Sequence, residues 1–556
     1  MNSTRNNNAT IDNVLESAGL PPAALRDATR HLDEVDRPRM RRWWNYYRNP
    51  TTPLPPGTAQ TGAERPYRQA QEWGLPARIT GFAAGNASVS AERAGGIARK
   101  EVVVENDIGW RVDAMVDHLF GRELFIDSAA ADPSRRAALS ALLRAILHAN
   151  GGIALLQQAA VLGMVHGFVD VVVKLDDAAA NAMRGEFPGE HGAWQQILAP
   201  ADESAAPGAQ ERGTGLAYGA SGDAPYASRD ELNPGTGPGT HPDGRLIERL
   251  ARLIRFEIVH PSHALPLPAS ADKPDAYARI WESAAATADD EPAAPKRWWH
   301  RALPPADAAI TRTRELELLT ATRFLRASAG TVLAHGEHSL GELPVVHIQN
   351  LAMPFEYAGR SDVEALVPLQ DELNTRLSDR AYRITMQSFK MFLGKGVDNF
   401  LSMPVGPGRM WATDNQDAEI KEFGGDERCP SEELHIAEIR EAMDKTSGVP
   451  PVAAGLIRDR VGQLSSAAAL RVTLQSLLAK TERKRATYGR GIAEMLRLAL
   501  AWLDVAGLLP TTSTERTATL TWPSPLPENA MERLREAEIK ARLGVPIEQV
   551  RREIGY

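Results

Sequence analysis

Between residues 359 and 507 the sequence places a helix, a short Gly- and Pro-rich β segment, a second helix, a punctuated loop and a much longer helix in direct succession. Few folds accommodate that order. GRSDVEALVPLQDELNTRLSDRAYRITMQSF (359–389) opens with Ser361 and Glu364 at capping-box spacing, and Pro368 should bend this helix or shift its true start. At 1.5 Å per residue the segment runs roughly 40 Å. KMFLGKGVDNFLSMPVGPGRMWATDNQDAEIKEFGG (390–425) reads as short strands with tight turns. SEELHIAEIREAMDKT (431–446) is a helix with Ser431 as a cap and Gly448 as its stop. GVPPVAAGLIRDRVGQLSSAAAL (448–470) then interrupts the pattern with two prolines and three glycines. It nevertheless keeps Val452, Leu456, Ile457, Val461 and Leu464, which an ordinary surface loop avoids, and is tipped with Arg458, Asp459 and Arg460. From Ser465 or Ser466 a third helical pattern continues through Trp502 and Leu503 to Gly507, with Gly489 and Gly491 marking a bend.

The chain before this unit alternates helices and strands. RPRMRRWWNYYRNP (37–50) reads as an amphipathic helix end whose aromatics pack while its arginines stay wet, the alternative being a base-stacking patch. VVENDIGWRVDAMVDHLFGRELFID (103–127) places Ile108, Val112, Met115, Val116, Leu119 and Phe120 on one helical face, ends at Gly121 and enters a strand. Helices near 134–148 and 152–163 precede a strand, FVDVVVKLD (168–176). Residues 185–245 turn abruptly to Gly, Pro, Ala and acid, the composition of a long irregular insertion. LIRFEIVHPSHALPL (253–267) is a strand entering a turn, and a second polar interval follows near 269–295. TRTRELELLTATRFLRAS (311–328) favours β structure, and LAHGEHSLGELPVVHIQN (333–350) reads as a hairpin. A strand, TATLTWPSP (517–525), and a helical tail from 529 to 556 finish the chain, making the fold class α+β.

With 24% charged and 43% apolar residues over 556 positions, most of the chain should fold, as two to four domains. A net charge of −8 argues against coating nucleic acid with the whole surface. The single cysteine, Cys429, excludes an intramolecular disulfide framework and fits a reducing compartment. The polar N-terminus lacks the apolar run of a signal peptide, and the most apolar windows are interrupted before the roughly 20 residues a bilayer requires, so a soluble protein is expected. FLGKG (392–396) is not a P-loop, GxSxG and HExxH are absent, and His335 and His338 in HGEH read as turn residues. Carboxylate pairs such as Asp371 and Glu372, or Glu432 and Glu433, read as solvated helix faces. The expectation is therefore no enzyme, no metal and no cofactor. Charge is unevenly spread: residues 361–447 hold 17 acidic and 10 basic residues, whereas 448–490 hold eight basic and two acidic. A polyanion beside such a surface meets one positive zone and is otherwise repelled, which suits sliding better than tight holding.

Three runs carry a resemblance. ENDIGWRVDAMVDHLFGRELFI resembles the early wing helix and its following "YLFG" segment in the portal proteins of tailed bacteriophages, of the siphophage type. ELPVVHIQN with GRSDVEALVPLQDELNTRLSD resembles the run that enters their first stem helix, and SGVPPVAAG with GQLSSAAALRVTLQSLLAKTERKRATYG the run that carries their tunnel loop and long wing helix. Ser465–Ser466 departs from the common Ser–Gly pair of that last run. The resemblance implies a wing over 1–360 interrupted by the insertion, stem helices at 361–389 and 431–447, a clip at 390–430 and a tunnel loop at 448–466. It also implies a bent wing helix and wing strand over 467–528 and a short helical crown at 529–556.

By the same resemblance, Val452, Leu456, Ile457, Arg458, Arg460 and Gln463 would line a DNA channel. Lys480, Arg483, Lys484 and Arg485 would form a basic patch, with a wet helix face as the plain alternative, and Lys395, Asp398, Arg409 and Trp411 would contact partners at the clip. The implied partners are eleven further copies in a twelve-subunit ring, double-stranded DNA read without sequence specificity, the terminase large subunit, a head–tail connector, and the major capsid and scaffolding proteins, with no membrane. The implied place is one vertex of the virion capsid, after assembly in the host cytoplasm. Another virion morphogenesis protein, such as a connector or baseplate piece, and a nucleic-acid-processing enzyme are the alternatives.

Overall fold

The computed structural model describes residues 11–17, 19–53, 67–80, 101–186, 242–268, 274–284, 312–388, 391–395, 417, 419–423, 430–455, 472–525, 530–545, 547 and 550. The 187–241 part of the irregular interval lies outside them, as does Cys429.

In chain order, α1 (residues 11–17), α2 (Pro22–His31) and α3 (Arg37–Arg48) lead to a ribbon of β1 (Thr51–Pro53) with β2 (Tyr67–Gln69) and to the single turn α4 (Ala77–Thr80). Then come α5 (Asp107–Phe120), β3 (Phe125–Ser128), α6 (Pro133–Ala149), α7 (Gly152–His166), β4 (Phe168–Leu175) and α8 (Asp177–Glu186). The chain continues with α9 (Pro242–Arg252), β5 (Ile254–Val259), β6 (Ala264–Pro268), β7 (Pro274–Ala284), β8 (Arg312–Thr320), β9 (Arg323–Ser328), β10 (Thr331–Glu337) and β11 (Val345–Gln349). Its last part holds α10 (Val367–Ser388), β12 (Met391–Lys395), β13 (Glu419–Phe423), α11 (Pro430–Ser447), α12 (Gln475–Val505), β14 (Ala518–Thr521) and α13 (Ala530–Arg542). Helices and antiparallel strands are mixed throughout, as an α+β fold requires.

Two sheets organise the first part. The five-stranded sheet, ordered β10-β9-β8-β7-β6, alternates Ala276, Ala278 and Ile280 with Leu265, Leu267, Leu325 and Ala327 toward Leu15, Leu20, Leu25 and Leu32 of the N-terminal helices. The three-stranded sheet, β11-β4-β5, is buried on both faces of β4, which explains why FVDVVV reads as a continuous apolar run. Val171 and Val173 face the main core with α5, α7 and α12, while Phe168 and Val172 face a smaller cluster with Met40 and Tyr277.

Two expectations change. The polar interval near 269–295 contains β7, which pairs with both β6 and β8 in the larger sheet, hidden because its buried face is mostly alanine. The hairpin expected over 333–350 does not form: β10 pairs with β9 and β11 pairs with β4, in separate sheets. α12 is helical throughout Gln475–Val505, across Gly489 and Gly491. Gly491 serves close packing, because a Cβ there would overlap the Ile348 side chain of β11. Pro368 acts as expected, lying in the first turn of a helix that starts at Val367, with Ser361 Oγ accepting from Val363 and Glu364 N–H ahead of it.

In RRWWNYY, Trp43 and Tyr46 are buried while Arg39, Arg42 and Arg48 lie over Trp43, Tyr46 and Trp44, so these aromatics pack. No single described helix is long and apolar enough to cross a membrane; α6 and α7 pass that test only together, bent by 63°, and both contribute to the main core.

Where α3, α7 and the β5–β6 turn meet, His166 and His260 lie 5.1 Å apart, His260 and His263 5.4 Å, and Trp44 stacks on His166 at 5.9 Å. Burial, with His260 alongside, pushes His166 down to about 3, and burial first pushes His263 down to about 4. The Ser262 N–H donates to His260 Nδ1, which requires that nitrogen unprotonated. As pH falls below about 6.5 the unfolded chain takes up protons that the folded one refuses, so stability drops by at most about 1.4 kcal/mol per pH unit for each histidine. Urea midpoints should decline from pH 6.5 to 4.5, and His166→Phe should flatten that decline. Gly491→Ala should destabilise by about 1–3 kcal/mol through overpacking, read from the same titrations.

Candidate functional site: a helix pair clamped to the long helix

Helices α10 and α11 are antiparallel. Arg383, late in α10, donates to Glu432 at the start of α11, while Ile436, Ile439 and Met443 supply the buried side of the pair. Beyond one end the β12–β13 ribbon pairs Met391 with Phe423 through Lys395 with Glu419.

The N-terminal half of α10 is also held from the other side by a polar ladder. Gln370 Oε1 accepts from Asp107 N–H at 3.0 Å and Gln370 Nε2 donates to Glu105 C=O at 2.6 Å. Asn374 Oδ1 accepts from Glu105 N–H at 3.0 Å, and Ser378 Oγ from Val103 N–H at 3.0 Å. Four helical residues rise about 6.0 Å and two extended residues about 6.6 Å, so side chains at i, i+4 and i+8 can replace a partner strand for backbone groups at 103, 105 and 107. Asn374 Nδ2 continues the network to Gln71, whose amide donates to Tyr46 C=O.

Where both helices meet α12, three charges are buried together. Lys480 Nζ lies 2.7 Å from Asp362 Oδ1 and donates to Ser447 C=O at 2.6 Å. Lys484 Nζ lies 2.5 Å from Asp362 Oδ2 and donates to Asn350 Oδ1. Asp362 precedes α10 and Ser447 ends α11, so one carboxylate and two ammonium groups fasten the roots of both helices to α12. Burial alone would raise the Asp362 carboxyl, but Lys480 and Lys484 outweigh it and hold it well below the usual carboxylate range. Two cations share one anion, and burial pushes Lys484 down to about 8 against the pull of Asp362.

Gly448, at φ +68° with its N–H on Asp444 C=O, stops α11 as its sequence position indicates. Arg111, 3% exposed, donates to Val449 C=O at 2.8 Å and pairs with Asp444 at 2.6 Å and Asp107 at 3.0 Å. A 3-10 turn, Pro451–Ala454, follows and ends at Gly455, also at positive φ.

The sequence-derived site residues divide accordingly. Val452 is half-buried in that turn and packs on the main core, whereas Leu456, Ile457, Arg458, Arg460 and Gln463 lie outside the described residues. Lys395 is exposed at the end of β12; Asp398, Arg409 and Trp411 lie outside. The basic patch does not form as a surface. Lys480 and Lys484 point inward to Asp362, and Arg485 is mostly buried, donating to Pro523 C=O at 2.7 Å and lying over Trp522. Of the four, Arg483 alone is exposed. Period 3.6 places 480 and 484 on the face that meets Asp362, and nothing local to TERKR reveals a partner 122 positions away. His335 and His338 do not form a joint site, since His338 Nε2 sits 3.0 Å from Thr320 C=O while His335 is exposed.

Asp362→Asn strands two buried ammonium groups and should cost about 3–5 kcal/mol, whereas Lys484→Met leaves one balanced pair and should cost less. Because the folded chain releases the Lys484 proton near pH 8 and the unfolded chain near 10.4, stability from this group rises across that window. Lys484→Met should abolish that rise in urea titrations from pH 8 to 10.

No curated protein matches the chain. Residues 334–542 match the family model described as "Phage portal protein, SPP1 Gp6-like", from within β10 to the end of α13. That span, less than half of the chain, holds the helix, ribbon, helix, loop and long helix in sequence, and over it the chain is similar to that family.

Proposed function

We propose that this chain is a phage portal protein, that its copies close into a ring, of twelve subunits by the family's usual number, at one vertex of a phage capsid, and that DNA passes through its centre during packaging and ejection. In this reading α10 and α11 are the stem, β12 and β13 with the segment between them are the clip, and residues 448–466 are the tunnel loop. The remaining α/β part forms the wing with α12 and β14, and α13 belongs to a short crown. The terminase motor docks on the clip, with Lys395, Asp398, Arg409 and Trp411 as contacts, and a head–tail connector later takes its place. The protein acts as a conduit and performs no catalysis.

The observation that carries this reading is the union of firm roots with a Pro/Gly-punctuated loop. Buried charges and Arg111 hold the end of α11 and the approach to α10, and Val452 and Ala453 pack on the main core. A segment brushing moving DNA needs a fixed base and few strong contacts of its own. The sequence beyond, with Arg458 and Arg460 separated by Asp459, offers weak phosphate contacts that release readily.

Deleting residues 454–462 should leave ring assembly intact while reducing packaged or retained DNA, measured as nuclease-protected DNA per particle. Lost assembly would mark the loop as core structure. Lys395→Glu or Arg409→Glu should weaken motor docking more than ring formation, measured as terminase retained on immobilised rings; unchanged docking would contradict the clip assignment.

A further inference from the structure

Phe355 stands 88% exposed at φ +63°, a backbone region that costs a non-glycine residue about 1–2 kcal/mol. Its loop is braced. Gln349 Nε2 donates to Glu356 C=O at 2.7 Å, Arg360 N–H to Leu351 C=O at 2.9 Å, and Tyr357 O–H to the buried Asp170 at 2.9 Å, with the Tyr357 ring stacked on His347 at 3.8 Å. An apolar ring is thus presented to solvent by a built support. Beside it runs a groove of about 560 Å³ between this loop and α12, floored by Arg483, Thr487 and Arg490 at i, i+4 and i+7. Both arginines are exposed, and neither has a carboxylate partner among the described residues.

The solvent face of α11 has the opposite character. Leu434, Glu438 and Glu441 are exposed at the same i, i+4, i+7 spacing, and Glu433 lies next to them. The Lys445 partner of Glu441 is an exposed i, i+4 contact that yields at little cost.

We propose that the groove beside Phe355 is one half of a head-to-tail interface between copies of this chain, and that it receives the solvent face of α11 from the next copy. Phe355 packs against Leu434, while Arg483 and Arg490 face Glu438 and Glu441. The two surfaces differ, so the contact is heterologous and propagates around a ring when the rotation closes. An aromatic anchor supplies affinity and the charge pairs set the register. The proposal rests on the ring reading and adds to it which surfaces meet.

Sedimentation velocity and native mass spectrometry on the full chain test it. Both F355D and R483E/R490E should sediment as monomers at concentrations where the unaltered chain is assembled, with the assembly midpoint raised at least about tenfold, equivalent to ~1.4 kcal/mol. Far-ultraviolet circular dichroism spectra should remain unchanged, because all three residues are exposed. Adding E438R/E441R to R483E/R490E should restore assembly. Rings formed by both variants at unaltered concentrations would overturn the interface while leaving the ring reading intact, and so would a combined variant that stays monomeric. Intact rings that lose only DNA retention would assign the groove to nucleic acid and also overturn it. An unaltered chain that is monomeric throughout would overturn both readings.

Discussion

The burial of Asp362 between Lys480 and Lys484 is the constraint on which the functional half of the molecule depends. A charge removed from water costs several kcal/mol unless its partner and remaining hydrogen bonds are supplied, and here they come from four separate elements. Asp362 leads into α10, Ser447 closes α11, Asn350 follows β11, and both lysines sit on α12. Displacing any of these elements would leave a charge or a carbonyl without its partner. A non-directional apolar contact could slide, whereas this cluster admits one arrangement.

The Gln370, Asn374 and Ser378 ladder has the same logic in neutral form. An extended segment at 103–107 has backbone groups that would normally seek a neighbouring strand, and a helix supplies the bonds through its side chains. α10 is consequently held by α11 on one side and by the N-terminal part on the other. Residues 448–455 change regime within a few positions, from Val449 buried beside Arg111 to Gly455 at positive φ. A firmly seated Val449 and an exposed Gly455 therefore lie within a few positions of each other, as the proposed tunnel loop would require.

Elements with a strong local signal were legible in the sequence. The 3.6 period of Ile108, Val112, Met115 and Leu119 marked α5, the Ser361 cap and Pro368 marked the entry to α10, and Gly448 marked the end of α11. What escaped was set by distant partners. β7 was missed because Ala276 and Ala278 carry little hydrophobicity although the sheet buries them fully. β10 and β11 were paired with each other because proximity in sequence suggested a hairpin, whereas β4 offered β11 a better-buried neighbour. The close approach of Gly491 to Ile348 was equally invisible, because it depends on a strand more than 140 positions away. Lys484 of TERKR and Lys480 just before it looked solvated for want of any local sign of Asp362. The order helix, ribbon, helix, loop and long helix was readable, and with it the resemblance to the family whose model matches residues 334–542; the exposed Phe355 and the groove beside it were not.

In the proposed ring, many copies close around an opening with the 448–466 segment directed toward it. Cryo-electron microscopy of the purified full chain, averaged in end-on views, would show this arrangement. Closed annuli of one predominant subunit number are expected, with a central hole wide enough for a DNA duplex and the density that follows α11 projecting toward the axis. Compact single copies, open filaments, or rings whose density after α11 points outward would contradict it.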